Sequence, residues 1–335
     1  MNLKTNFCCF MVLAVFLTCG LNPAMAEENR KFKVLVVMSY HEDMIWVADM
    51  KKAIDSTLAR TCELKYFYLD TRNNFEGGTQ KAKEAYELFL EYKPDGVLAA
   101  DDDAQVMFVV PYLKDKVKTP VIFCGVNAEP EQYGYPASNV SGVLERIHFK
   151  ESIAFLQTIV PSVSSIGYLM GDNPTSQGYY QQIQNERETY SAKSADIKFA
   201  KTIDESLVMA TEFKNSCDAL FIDNTVGIKD KKGNSLEEKQ VIPFLAKSFG
   251  KATFGANISV VKSGLLCAVV KTGQEQGETS ANMLLKAMQG TPVSEFPITR
   301  NYQGKRMINV TVLKELGIRP RPEIIGSAEL VRTEN

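Results

Sequence analysis

Val34-Leu-Val-Val-Met38, then Ser39-Tyr-His-Glu-Asp-Met-Ile-Trp46, then a stretch to Leu58 with apolar residues three or four apart, then Leu64-Lys-Tyr-Phe-Tyr-Leu69: this succession decides the fold. An unbroken aliphatic run of this length reads as a strand buried on both faces. The stretch behind it has the spacing of an amphipathic helix. Two parallel strands need such a crossover between them, so the unit is βαβ. The same rhythm returns along the chain. Further strands are expected at 96–100, 121–125, 165–170, 197–200, 219–222 and 252–255, and the run Leu265-Leu-Cys-Ala-Val-Val270 also reads as a buried strand. Helices are expected at 46–58, 79–92, 104–113, 150–159, 175–191, 206–215, 235–249 and 275–288. The fold class is α/β, doubly wound.

The rhythm breaks once, at Asn127-Ala-Glu-Pro-Glu-Gln-Tyr-Gly-Tyr-Pro136, and resumes after Val140-Ser-Gly-Val143. About four strands fall on each side of the break, which predicts two similar parallel-sheet lobes rather than one wide sheet. No Pro-rich or low-complexity linker separates them, so several thin crossings are expected.

Composition narrows the partners. With 38 Lys+Arg against 40 Asp+Glu, a net charge of −2 and no long run of like charges, the chain offers no footprint for a nucleic-acid backbone or an anionic membrane. Two His residues cannot build a His-rich metal centre, so metal chemistry would have to rest on the cysteines or on carboxylates such as Asp101-Asp-Asp103, which lack further oxygen ligands placed by the sequence, and no metal or cofactor is expected.

Residues 7–21 form a short hydrophobic run behind Lys4 that ends in Ala24-Met25-Ala26, the pattern of a secretory signal peptide cleaved after Ala26. The run is shorter than the roughly 20 apolar residues a bilayer span requires. The expected mature product is a free monomer in the periplasm. Cys8, Cys9 and Cys19 leave with the leader, and Cys62, Cys124, Cys217 and Cys267 remain. Cys124 and Cys267 lie in buried strands as small hydrophobes. Cys62 and Cys217 are the more polar pair, and no disulfide between them is expected.

Ligands in open α/β sheets bind outside the carboxyl ends of the strands. After the first strand, Tyr40 and His41 offer a phenol and an imidazole, while Trp46 either stacks on a ligand or packs beneath the first helix. After Ala100 come Asp101, Asp102 and Asp103: one is expected to cap the following helix, and Asp102 or Asp103 to meet a ligand donor. Asn127, Asn173, Thr175, Asn224 and Asn257 supply hydrogen-bonding groups at the corresponding ends of the other strands. Caps and turns use the same residue types, so the argument rests on recurrence at one edge of both lobes.

Catalysis is not expected. GxGxxG after the first strand, GxxxxGK[ST], GxSxG and HExxH are all absent, and His148 reads as structural.

Val34-Leu-Val-Val-Met-Ser-Tyr-His41 with Trp46, Leu69-Asp-Thr-Arg72, Ala100-Asp-Asp-Asp-Ala104, Pro120-Val-Ile-Phe-Cys-Gly-Val-Asn127, Ser141-Gly-Val-Leu-Glu145 and Asp223-Asn-Thr225 together resemble the ABC-transporter substrate-binding family. Its better understood members bind aromatic amino acids. The resemblance runs from about Lys33 to Val331. It implies the type I periplasmic-binding-protein fold, with two lobes joined by three crossings, ligand held between them and closure about a hinge. It also implies lobe boundaries of 32–143 plus 268–293, and 144–267 plus 294–330. The Ser-Tyr-His…Trp and Asp-Asp-Ala forms are closer to a branch associated with sensor histidine kinases. The function expected is capture of a small polar or aromatic ligand, an amino acid among the candidates, for an ABC permease. The alternative is a periplasmic sensor subunit that presents its closed form to a separate membrane kinase or chemoreceptor.

Overall fold

A computed structural model describes residues 30–334. The expected leader and its cleavage point lie outside the described residues.

Among the described residues thirteen strands form two sheets. They are β1 Phe32–Met38, β2 Cys62–Tyr68, β3 Gly96–Ala100, β4 Val121–Val126, β5 Val140–Leu144, β6 Ser165–Gly171, β7 Lys193–Ala200, β8 Ala219–Asp223, β9 Ala252–Gly255, β10 Cys267–Val270, β11 Thr299–Arg300, β12 Lys305–Asn309 and β13 Glu329–Val331. The helices are α1 Ile45–Leu58, α2 Gly78–Tyr92, α3 Asp101–Ala104, α4 Phe149–Ile159, α5 Pro174–Glu186, α6 Ile203–Ser216, α7 Glu238–Phe249, α8 Ile258–Lys262, α9 Gly273–Met288, α10 Val310–Glu315 and α11 Pro322–Gly326. The stretch expected as one helix at 104–113 is instead a π-helix, Gln105–Leu113, running on from α3.

The first sheet has the order β11-β5-β4-β3-β1-β2 and is parallel throughout. The second has the order β13-β12-β10-β9-β8-β6-β7, and β12 runs antiparallel to β10. The opening run explains its own position. Val34 to Met38 are fully buried because β1 has strands on both sides and helices on both faces. Each sheet separates two apolar cores, which is what a doubly wound fold requires.

The chain passes between the sheets three times, at 145–148, 271–272 and 301–304. Two of these points differ from the implied boundaries. All of β10 pairs with β9 and β12, so the return to the first sheet follows Val270 and does not come at 268. Thr299–Arg300 pairs with β5, which delays the last passage past 294. A two-residue strand is too short to show a period of two, so nothing in the sequence marks it.

After its second passage the chain packs α9 against α1, and small residues set the spacing. A Cβ on Gly273 would lie 2.5 Å from the Trp46 carbonyl oxygen, and one on Gly277 2.5 Å from that of Met50. Gly277→Ala is therefore expected to destabilise the protein by about 1–2 kcal/mol in urea unfolding, because overpacking outweighs alanine's better helix propensity. A more stable variant would contradict this packing.

Candidate functional site

The loops after β1, β2, β4 and β5 leave the carboxyl edge of the first sheet, and those after β6, β8 and β9 leave the same edge of the second. Between the two lies a cleft of about 840 Å³. The first sheet contributes Tyr40, Arg72, Asn127, Glu129 and Gln132; the second contributes Thr175, Tyr179, Gln181 and Gln182. Glu145, Arg146 and Lys271 enter from the passages between the sheets.

Of the residues expected from sequence, Tyr40, Asn127 and Thr175 stand in this wall. The others are bonded behind it. The Trp46 indole N–H donates to Asp101 Oδ1 at 2.9 Å, so the ring buttresses the first aspartate. His41 lies 3.6 Å from Asp70 and 3.3 Å from the Asn73 amide. Asp102 accepts from the backbone N–H of Asn127 at 3.0 Å and of Ala128 at 3.1 Å, and from the Tyr133 hydroxyl at 2.7 Å. It ties down the long loop after β4. Asp103 accepts from the Thr71 hydroxyl at 2.6 Å.

None of the three aspartates makes the expected side-chain cap on α3. That position is taken by the residue directly after β1: Ser39 Oγ accepts the Ala104 N–H at 2.9 Å and donates to the Ala100 carbonyl. Asp101 instead turns the chain, with φ +65°, and its carboxyl is buried against Trp46. Burial, with Glu145 nearby, pushes that carboxyl well above the usual range.

The second edge follows the same logic. Asn173 caps α5 by accepting the Ser176 N–H at 3.1 Å, and donates to the Val226 carbonyl at 2.9 Å. Asn224, at φ +46°, donates to Asn173 and Ser176. Asn257 donates to Asp223 at 2.8 Å, and the Ala256 and Asn224 N–H groups complete that carboxylate's partners at 2.7 and 2.8 Å.

Burial pushes Asp223 up to about 6, against the pull of these donors. A carboxyl that holds its proton more tightly folded than unfolded stabilises the fold below the unfolded value, near 3.9, and loses that advantage as pH rises through about 6. Asp223→Asn is therefore expected to flatten the fall in unfolding free energy between pH 4 and 7 by on the order of 2 kcal/mol. An unchanged slope in denaturant titrations across that range would contradict the assignment.

The passages between the sheets are tied to one another. Asn301 treats Arg146 as a strand partner, accepting its N–H at 2.8 Å and donating to its carbonyl at 2.9 Å. Glu275, in the first turn of α9, accepts the N–H groups of Tyr302, Gln303 and Gly304. Lys271 and Glu145 form an ion pair linking the second passage to the first. His148, buried as expected of a structural residue, lies between Glu151 at 3.4 Å and Asn301 at 2.7 Å. Cys62, Cys124, Cys217 and Cys267 are buried, and no disulfide joins Cys62 to Cys217.

Sequence reasoning missed Arg72, Glu145, Arg146, Tyr179, Gln182 and Lys271. Passages between sheets necessarily border the space between them, and that signal could have found Glu145, Arg146 and Lys271.

The sequence profile described as ABC transporter substrate binding protein matches residues 110–332. A search of curated proteins finds no match. Among solved structures, an ABC domain in complex with L-Trp from Streptococcus pneumonia is 18% identical, covering 90% of this chain and 100% of its own, with a TM-score of 0.54. The ligand-free, open structure of a substrate-binding protein with adhesive properties from Clostridium difficile is 15% identical with the same coverages and a TM-score of 0.69. A conserved domain protein from Vibrio cholerae is 16% identical, covering 90% and 99%, with a TM-score of 0.54. At such identities the likeness is one of fold.

Proposed function

Because the chain belongs to the ABC transporter substrate-binding protein family, a family of non-catalytic binders of small ligands, we propose that its cleft closes on one small polar or aromatic molecule and delivers it to an ABC importer. The observation that carries this is the cleft itself. Its walls come from the carboxyl edges of two separate sheets, and its floor from the first two passages, which the Lys271–Glu145 pair ties to each other and Asn301 and Glu275 tie to the third.

The two sheet units act as lobes, and the tied passages as the hinge. A ligand that touches Tyr40 and Asn127 on one wall and Thr175, Tyr179 and Gln182 on the other gains contacts only in the closed form. Differential affinity of that kind is what drives closure, and moving a population from 1:99 to 99:1 takes about 5.5 kcal/mol. Export by a leader cleaved after Ala26 would place this cycle in the periplasm, where the permease can read the closed form.

Mass spectrometry of ligand retained through purification, followed by calorimetric titration of the compound recovered, tests the reading. One-site binding that is weakened about tenfold or more by Tyr40→Ala and by Thr175→Ala is the expected result. Binding untouched by substitutions on both walls would put the ligand elsewhere.

A further inference from the structure

We infer that the cleft takes a small organic anion lacking an ammonium group, with its carboxylate held by Arg72. The inference rests on the cleft being the ligand site and follows from which charges around it are already satisfied. Glu145 is nearly buried and ion-paired with Lys271. Glu129 lies 3.2 Å from the Arg146 guanidinium, which also donates to the Asn127 carbonyl at 2.8 Å. Asp102 has three donors, Asp103 has the Thr71 hydroxyl, and Asp223 on the opposite edge has three donors of its own. Asp101 is sealed behind the wall. A ligand ammonium would have to share a carboxylate that one of these arrangements already engages.

Arg72 is in the opposite situation. It lines the cleft, and among the described residues no carboxylate lies within ion-pairing distance of it. Its one polar contact among the described residues is the Met44 thioether at 3.8 Å, a weak acceptor. A guanidinium's planar fork matches a carboxylate with two parallel hydrogen bonds. The surrounding wall supplies donors as well: burial pushes the Tyr40 and Tyr179 phenols up, so both keep their protons at neutral pH, and Thr175 and Gln181 line the cleft beside Tyr179 on the second lobe. A carboxylate on Arg72 therefore meets donors of the other lobe when the cleft narrows.

The test uses compounds matched in shape and differing in charge, titrated into the purified protein at pH 7: 3-phenylpropionate, phenylalanine and phenethylamine, then indole-3-propionate, tryptophan and tryptamine, with succinate and D-ribose alongside. At least one anion is expected to bind tenfold or more tighter than its zwitterionic and cationic counterparts. Arg72→Gln is expected to weaken it tenfold or more, with Arg72→Lys intermediate. Tighter binding of a zwitterion, of a cation or of ribose would overturn the inference while leaving the cleft reading intact. So would an anion bound equally well by Arg72→Gln. Failure of every probe, with no ligand retained through purification, would overturn both.

Discussion

Phe221→Ala is expected to lower the free energy of unfolding by about 3–5 kcal/mol. Phe221 is fully buried in the middle of β8, with ring centroids 4.9 Å from Phe149, 5.3 Å from Phe254 and 5.9 Å from Tyr168. Those neighbours stand on α4, β9 and β6, so the walls of the resulting cavity are held by three separate elements and cannot collapse together. Phe149 also opens α4, directly after the first passage between the lobes. On the proposed closure, loosening this cluster loosens one end of the hinge. Urea unfolding followed by circular dichroism measures the loss, and Phe221→Leu should retain most of the stability. A loss below about 1 kcal/mol for the alanine variant would mean the cluster contributes little.

Glu275→Ala should cost about 3 kcal/mol and should also weaken ligand binding. One carboxylate, 8% exposed, accepts three consecutive N–H groups from the passage at 302–304. A buried donor left without its partner costs about 1–3 kcal/mol, and water can replace only part of what the carboxylate supplies here. Its place in the first turn of α9 adds a favourable interaction with the helix dipole. Glu275→Gln keeps one acceptor oxygen and should fall between. Stability comes from chemical unfolding and affinity from calorimetry. Full stability in Glu275→Ala would show that the third passage is not held by this residue.

The fold was legible because βαβ rhythm is a local signal: Val34–Met38, Gly96–Ala100 and Val121–Val126 are buried on both faces and carry no polar interruption. The short edge strands were not legible. Lys305–Asn309 mixes exposed and buried residues, and its partner Glu329–Val331 is mostly exposed, so neither has the apolar run that marks a central strand. The candidate site was legible as an edge but not as a wall. Residue type shows that Asp102, Asn173 and Asn257 can hydrogen-bond, whereas only the folded backbone decides whether the partner is a ligand or a neighbouring N–H. Here the loops consumed most of their own side chains. Arg72 was visible within Leu69-Asp-Thr-Arg72, but its lack of a carboxylate partner is a property of three-dimensional placement.

The central claim, that ligand closes the two lobes on each other, is tested most directly by the distance between their lips. Glu76 and Val226 are exposed beyond the ends of β2 and β8, and Cys62, Cys124, Cys217 and Cys267 are buried, so Glu76→Cys and Val226→Cys can be spin-labelled as a pair. The distance distribution is then measured with and without a saturating concentration of the compound that calorimetry shows to bind. The account predicts a shift to a shorter, narrower distribution that follows the binding isotherm. A distribution unmoved by a bound ligand would contradict it.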